Sequence, residues 1–210
     1  MHKRILFLSA FLVGAIFLLP GCARNVIVSE ALQLPEGAKI YTRCNIWYQD
    51  PDDISAVNYH TGNILPFGTE VEEVEADMGS VTIRPFLEKS RGSVAFKVKK
   101  TGQEFYISYD ETWMMIPMEE YLRRIFSDKP QKDLAKGIKS SIYEKIIRGI
   151  VEEGMTRKEV LLAYGYPVVH RTPSLLEDTW VYWDAKMNTA RVIFKKDKVT
   201  AILKIGNVEE

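Results

Sequence analysis

Very few side chains in this sequence have the type and spacing needed for covalent or metal chemistry. There are three histidines, His2, His60 and His170, and neither His60 nor His170 lies in a metal-ligand spacing. His60 falls in a turn-rich stretch and His170 in a loop, so each is expected at the surface or hydrogen-bonded locally. Glycine-rich phosphate loops, nucleophile elbows and paired-cysteine metal motifs do not occur. Acids stand side by side at Asp52-Asp53 and Glu72-Glu73. Acid–base work by such a pair needs both carboxylates on one face, whereas neighbours in a strand point to opposite faces. Both pairs therefore read as solvated groups. The expectation is a protein without catalytic residues, metal or cofactor, working by contact and not as an enzyme.

The exception is a cysteine. Lys3 and Arg4 precede an uncharged run from Ile5 to Leu19, then Pro20, Gly21 and Cys22. Fifteen uncharged residues are too few for an ordinary span and normal for a secretory signal. The ending Leu19-Pro20-Gly21-Cys22 resembles a lipobox, in which the signal is cut before a cysteine that then carries lipid. That resemblance implies a signal peptide over 1–21, lipidation of Cys22 and a membrane partner. Because burial is worth about 0.8 kcal/mol per methylene, several acyl chains anchor a protein essentially permanently. Ala23 rather than Asp follows, which by the bacterial sorting rule implies the outer membrane, facing the periplasm. Cys44 is then the one remaining thiol, so no internal disulfide can form. It is expected as a small apolar residue within a strand.

Charge and composition narrow the partners. The 210 residues carry 28 basic and 28 acidic groups, and loss of Lys3 and Arg4 leaves 26 basic ones. Such a chain has no global field to draw in nucleic acid or an anionic bilayer. With 46% hydrophobic residues it can bury a genuine core.

The elements that would position any contact site are readable in sequence. Residues 22–37 show no periodic pattern and read as a tether. Residues 38–110 carry short runs rich in Val, Ile, Phe and Tyr, separated by turns such as Asp50-Pro51-Asp52-Asp53 and Lys100-Thr101-Gly102. Ser80–Arg84 is one of these runs. In another, Phe105, Ile107 and Tyr109 face one way and Tyr106 and Ser108 the other. The stretch Ile64–Val71 resembles the turn entering a strand in bacterial SH3-like domains, which implies a small all-β module. Over 111–131, Met118, Tyr121, Leu122, Ile125 and Phe126 form one helical stripe that connects the two halves. Leu134, Ile138, Ile142 and Ile146 then recur every four residues, predicting a second helix.

Residues 154–167, GMTRKEVLLAYGYP, encode a short helix with both ends specified. Thr156 and Glu159 make a capping box, with Met155 and Val160 as its hydrophobic staple. Gly165 is placed as the left-handed residue past the end, and Pro167 prevents continuation. Three strand patterns follow: Asp178–Trp183, then Ala190, Val192 and Phe194, then Val199, Ala201, Leu203 and Ile205. Short connections favour an antiparallel meander covered by the helices, an α+β layer arrangement.

Gly154-Met155-Thr156, Val160, Gly165-x-Pro167, Trp180-x-Tyr182 and Phe194 followed by a turn and Val199 resemble the BamE (SmpA/OmlA) family. The likeness covers 132–208 and implies a helical hairpin on a three-stranded antiparallel sheet. It also implies an accessory role in the machinery that inserts β-barrels into the outer membrane. About 110 residues separate Cys22 from this region, a departure from the family, whose members reach the domain soon after the lipid. Tyr166, His170, Arg171, Trp180 and Tyr182 gather around the hairpin and first strand, and this edge is the expected contact site. Two functions are open: a scaffold binding barrel-assembly components, or a lipoprotein that binds peptidoglycan or a small ligand through the SH3-like module.

Overall fold

A computed structural model describes residues 25–35, 37–79, 81–82, 88–89, 91–186 and 188–206. The expected signal segment, Cys22 and part of the expected 80–84 strand lie outside them. The chain forms β1 (Asn25–Val26), α1 (Val28–Leu32), β2 (Ile40–Thr42), β3 (Ile46–Tyr48), β4 (Ile54–Ser55), β5 (Asn63–Leu65) and β6 (Glu70–Asp77). Next come β7 (Val81–Thr82), β8 (Glu88–Lys89), β9 (Gly92–Val98), β10 (Glu104–Tyr109), α2 (Glu111–Met114), α3 (Met118–Ile125) and β11 (Phe126–Ser127). Then follow α4 (Gln131–Leu134), α5 (Ser140–Ile147), α6 (Arg157–Tyr164), β12 (Thr179–Ala185), β13 (Asn188–Lys195) and β14 (Lys198–Ile205). The architecture is mixed α+β.

The first layer is a seven-stranded sheet, ordered β11-β2-β6-β9-β10-β4, with β1 added on β6. In β10 the alternation read from sequence is realised: Phe105, Ile107 and Tyr109 are each about 1% exposed and Tyr106 faces water. In β6, Val71 and Ala76 both point inward although they are five residues apart. A bulge between Glu72 and Glu75, with Glu73 at φ 52°, supplies the missing residue. It also separates the two adjacent acids, since Glu73 pairs with Lys97 and Glu72 with Lys99. Helix α3 buries Met118, Tyr121, Leu122 and Ile125 in the same core. Phe126, expected on that stripe, instead starts β11 and is fully buried.

The expected tether is corrected. Val26 pairs with Ala76, and α1 packs against α3 with Ala31 buried. The Arg123 guanidinium donates to the Ala31 carbonyl at 2.9 Å, and Gln33 in the left-handed region ends the turn. Val26, Val28 and Leu32 are too few to show a period, yet all three pack on the core. The sheet thus draws strands from both sides of 38–110.

The second layer is the three-stranded antiparallel sheet β12-β13-β14 with α5 and α6 packed over it. The single helix expected through Leu134, Ile138, Ile142 and Ile146 is split into α4 and α5. Gly137, at φ 83°, occupies a conformation that no helix interior accepts. The capping box of α6 forms as read: Glu159 N donates to Thr156 Oγ1 at 3.2 Å, and Thr156 N donates to Glu159 Oε2 at 2.7 Å. Gly165 departs from the expected left-handed cap. Its φ 79° and ψ −166° place it in a region essentially reserved for glycine.

In β14 the expected shared face of Val199, Ala201, Leu203 and Ile205 is broken. The register shifts by one residue between Ile193 and Phe194, pairing them with Ala201 and Val199. Thr200 is thereby left out of the ladder, and Ile202 takes the inner face opposite Val192. Leu203 and Ile205 turn outward, 48% and 45% exposed.

Candidate functional site

The two layers meet along a polar seam built from residues far apart in sequence. Asn45, between β2 and β3, is fully buried. Its amide donates to Ile146 O at 2.6 Å and Ala163 O at 3.2 Å, and its Oδ1 accepts from Phe67 N at 3.0 Å. Its own backbone N–H donates to Leu162 O. Asn45 thereby reaches the last turns of both α5 and α6, adding a donor to Ile146 O, which also accepts from Gly149 N, and to Ala163 O, which also accepts from Trp47 Nε1. Asn58, at φ 59°, accepts from Trp47 N and donates to Asn45 O and Tyr164 O.

His60 belongs to this seam and not to the surface turn expected from sequence. Its side chain is 4% exposed. The ring lies among Trp47, Tyr164 and Tyr182, with centroids 5.4, 4.1 and 5.3 Å away. Nε2 stands 2.9 Å from Tyr164 O, and because a carbonyl only accepts, that nitrogen carries a proton. Nδ1 faces Asp184 Oδ1 at 3.7 Å. The nearby His60 ring and the charge of Lys204 hold the Asp184 carboxyl below the usual aspartate range. Burial pushes the Tyr164 hydroxyl up to about 12 and raises that of Tyr182 well above its ordinary value. These rings therefore stay neutral.

Cys44 is buried, with Sγ 3.9 Å from Arg124 O, and burial pushes its thiol up to about 12. It lies between β2 and β3 and not within a strand. A protonated, enclosed thiol is a poor nucleophile.

Beside the seam opens a cleft of about 880 Å³. Trp47, Tyr59, Asp53 and Ser55 form one side, with Arg91, Asp110 and Trp113 around it and Ala185 and Lys186 from the end of β12. Trp113 is held in place although 54% exposed. Asp110 caps α2 by accepting from Thr112 N at 3.0 Å and Trp113 N at 3.3 Å. The Trp113 indole then lies against the His170 ring, centroids 5.1 Å apart.

The expected contact residues divide into two groups. Arg171 is exposed, while Tyr166 and His170 are half-buried, Tyr166 beneath the Arg124 guanidinium at 5.4 Å. Trp180 and Tyr182 are core residues, 0% and 3% exposed, and offer no surface. Trp180 carries the Arg157 guanidinium over its ring and packs on Phe194, while Tyr182 donates to Gly165 O at 3.1 Å. They face inward because β12 puts this side of the sheet under the helices. Trp113, Tyr59 and Lys186 were not singled out from sequence. The Asp110-x-Thr112-Trp113 cap was the one local signal available for Trp113.

The chain matches no family model, no curated protein and no solved structure.

Proposed function

We propose that this protein is an outer-membrane lipoprotein, held by acylated Cys22 and facing the periplasm, that acts without catalysis as a scaffold in outer-membrane protein assembly. The observation that supports this reading most is the C-terminal unit. A helical pair with a capping box lies over a three-stranded meander, and the motifs that resemble the BamE family occur on it in order. On this reading the unit is BamE-like, and the first layer is an SH3-like module enlarged by β1 and β11. The contact edge is the loop between α6 and β12, where Tyr166, His170, Arg171 and the 88% exposed Leu176 lie together in sequence. Only two residues separate Cys22 from β1, so the folded body would sit close to the bilayer.

Crosslinking in intact cells, followed by pull-down from detergent-solubilised envelope, tests it. Barrel-assembly subunits should be recovered, and recovery should fall when Arg171 and Leu176 are both changed to Ser. A Cys22→Ser chain that still fractionates with the outer membrane removes the anchor. Consistent absence of assembly subunits with the anchor intact removes the scaffold.

A second reading, binding of the cell wall, is favoured by the cleft between the layers. Co-sedimentation of the full chain with purified peptidoglycan distinguishes it.

A further inference from the structure

We propose that the cleft flanked by Trp113 and Tyr59 is a binding site for a neutral oligosaccharide, with one pyranose ring stacked on the Trp113 indole. The proposal deepens the cell-wall reading but rests on the cleft alone, not on anchoring or on any assembly subunit.

The first ground is Trp113 itself. A large indole more than half exposed is the residue type that dominates binding energy where it occurs in a pre-set position. This one is pre-set. Asp110 fixes the first turn of α2, the Tyr109 hydroxyl donates to Ile116 O just beyond it, and Met114 is buried below. His170 lies against the indole, so stacking a ligand on the exposed remainder orders little new structure.

The second ground is charge. Asp53 and Asp110 oppose Arg91 and Lys186 around the same cleft, so it has no net sign to attract a polyanion or a polycation. What remains is a ligand that is neutral, flat and apolar on one face, and rich in hydroxyls at its rim. A pyranose has that form: its C–H face lies on an aromatic ring, while its hydroxyls donate to carboxylates and accept from ammonium and guanidinium groups. At about 880 Å³ the cleft lies within the range of sites that enclose drug-sized ligands.

The third ground separates sugar from peptide. An extended peptide would need an open strand edge, and β3, β4 and β12 bring edges to the cleft through Trp47, Ser55 and Ala185. Backbone groups along these edges are already engaged. Ser55 O accepts from Asn58 N, Ser55 Oγ accepts from Val57 N, and Ala56 N is spent on Ser108 O. Trp47 N donates to Asn58 Oδ1, and Trp183 O accepts from His60 N.

The test titrates the purified full chain with chitotriose, cellotriose and a neutral hexapeptide, following tryptophan fluorescence and calorimetry. At least one trisaccharide should bind with Kd of roughly 0.1–1 mM. Preference for chitotriose points to an acetamido glycan such as the cell wall's, and equal binding to glucans at large. Trp113→Ala should weaken binding about tenfold or more and Trp113→Phe less, while Asp53→Asn, at an exposed position, should weaken it with unchanged thermal stability. Binding only of the hexapeptide, no binding at roughly 10 mM sugar, or undiminished binding by Trp113→Ala overturns the proposal. Trisaccharide binding without peptidoglycan co-sedimentation overturns the cell-wall reading and leaves the cleft assignment standing.

Discussion

The Asn45 amide donates to Ile146 O at 2.6 Å, joining positions 101 residues apart in the chain and two separate hydrophobic cores. The same side chain also holds Ala163 O and Phe67 N. Replacing it with Ala strands the buried Phe67 N–H and takes one of two donors from Ile146 O and from Ala163 O, which keep Gly149 N and Trp47 Nε1. Asn45→Ala should cost about 2 kcal/mol in urea unfolding. A loss well under about 1 kcal/mol would mean that water replaces these bonds.

Gly149 is fixed by its neighbour. At φ 64° its missing Cβ would fall 2.1 Å from Trp47 Cζ2. Gly149→Ala should therefore lower stability by at least about 2 kcal/mol, through backbone strain and overpacking together. Combining it with Trp47→Leu should recover part of that loss, because only the steric part depends on the indole. Thermal melts of the two single variants and the double variant measure this coupling.

Asp184 links acidity to the seam. Its carboxyl is held below the ordinary value near 3.8 by His60 and Lys204. A depressed folded value means that the ionised form stabilises the fold. That contribution is complete above the unfolded value and is lost as pH falls through the folded one. Stability should therefore drop below about pH 4 more steeply for the native chain than for Asp184→Asn. Equal slopes in urea titrations between pH 5 and pH 2.5, on the order of the window set by linkage, would remove Asp184 from this role.

The bulge in β14 makes a contrast between adjacent residues. Ile202 faces the core and Leu203 is 48% exposed. Ile202→Lys should cost about 2 kcal/mol or more, and Leu203→Lys no more than about 0.5 kcal/mol. Had the strand kept strict alternation from Val199, the order would be reversed. Denaturant midpoints decide between the two registers.

Local signals were legible in sequence and distant ones were not. The β10 alternation, the α3 stripe and the Thr156–Glu159 capping box each involve residues within one strand or one helix, and each formed as read save that Phe126 leaves the stripe for β11. Gly137 could have warned that the 134–146 stripe would break, since glycine weakens a helix interior. The bulge at Thr200 could not be seen, because register depends on β13. Trp180 and Tyr182 were assigned to a surface because alternation says which residues share a face but not which face is covered. His60 looked like an ordinary turn residue, and Asn45 carried no local signal at all. Their partners lie 104 and 101 positions away, beyond any local pattern.

Phe67 sits on the chain between β5 and β6, in the first layer, yet it is fully buried in the core formed by α5, α6 and β12–β14. A nascent chain, emerging N-terminus first, must carry this ring without its pocket until Tyr143 of α5 and the rest of that core have been made. Synthesis and export therefore cannot finish one half and then the other, as they can for beads on a string. A gene fragment ending near residue 130 would encode a polypeptide with an orphaned aromatic, and the complementary fragment one with a hole. Each half therefore depends on the other to complete its core.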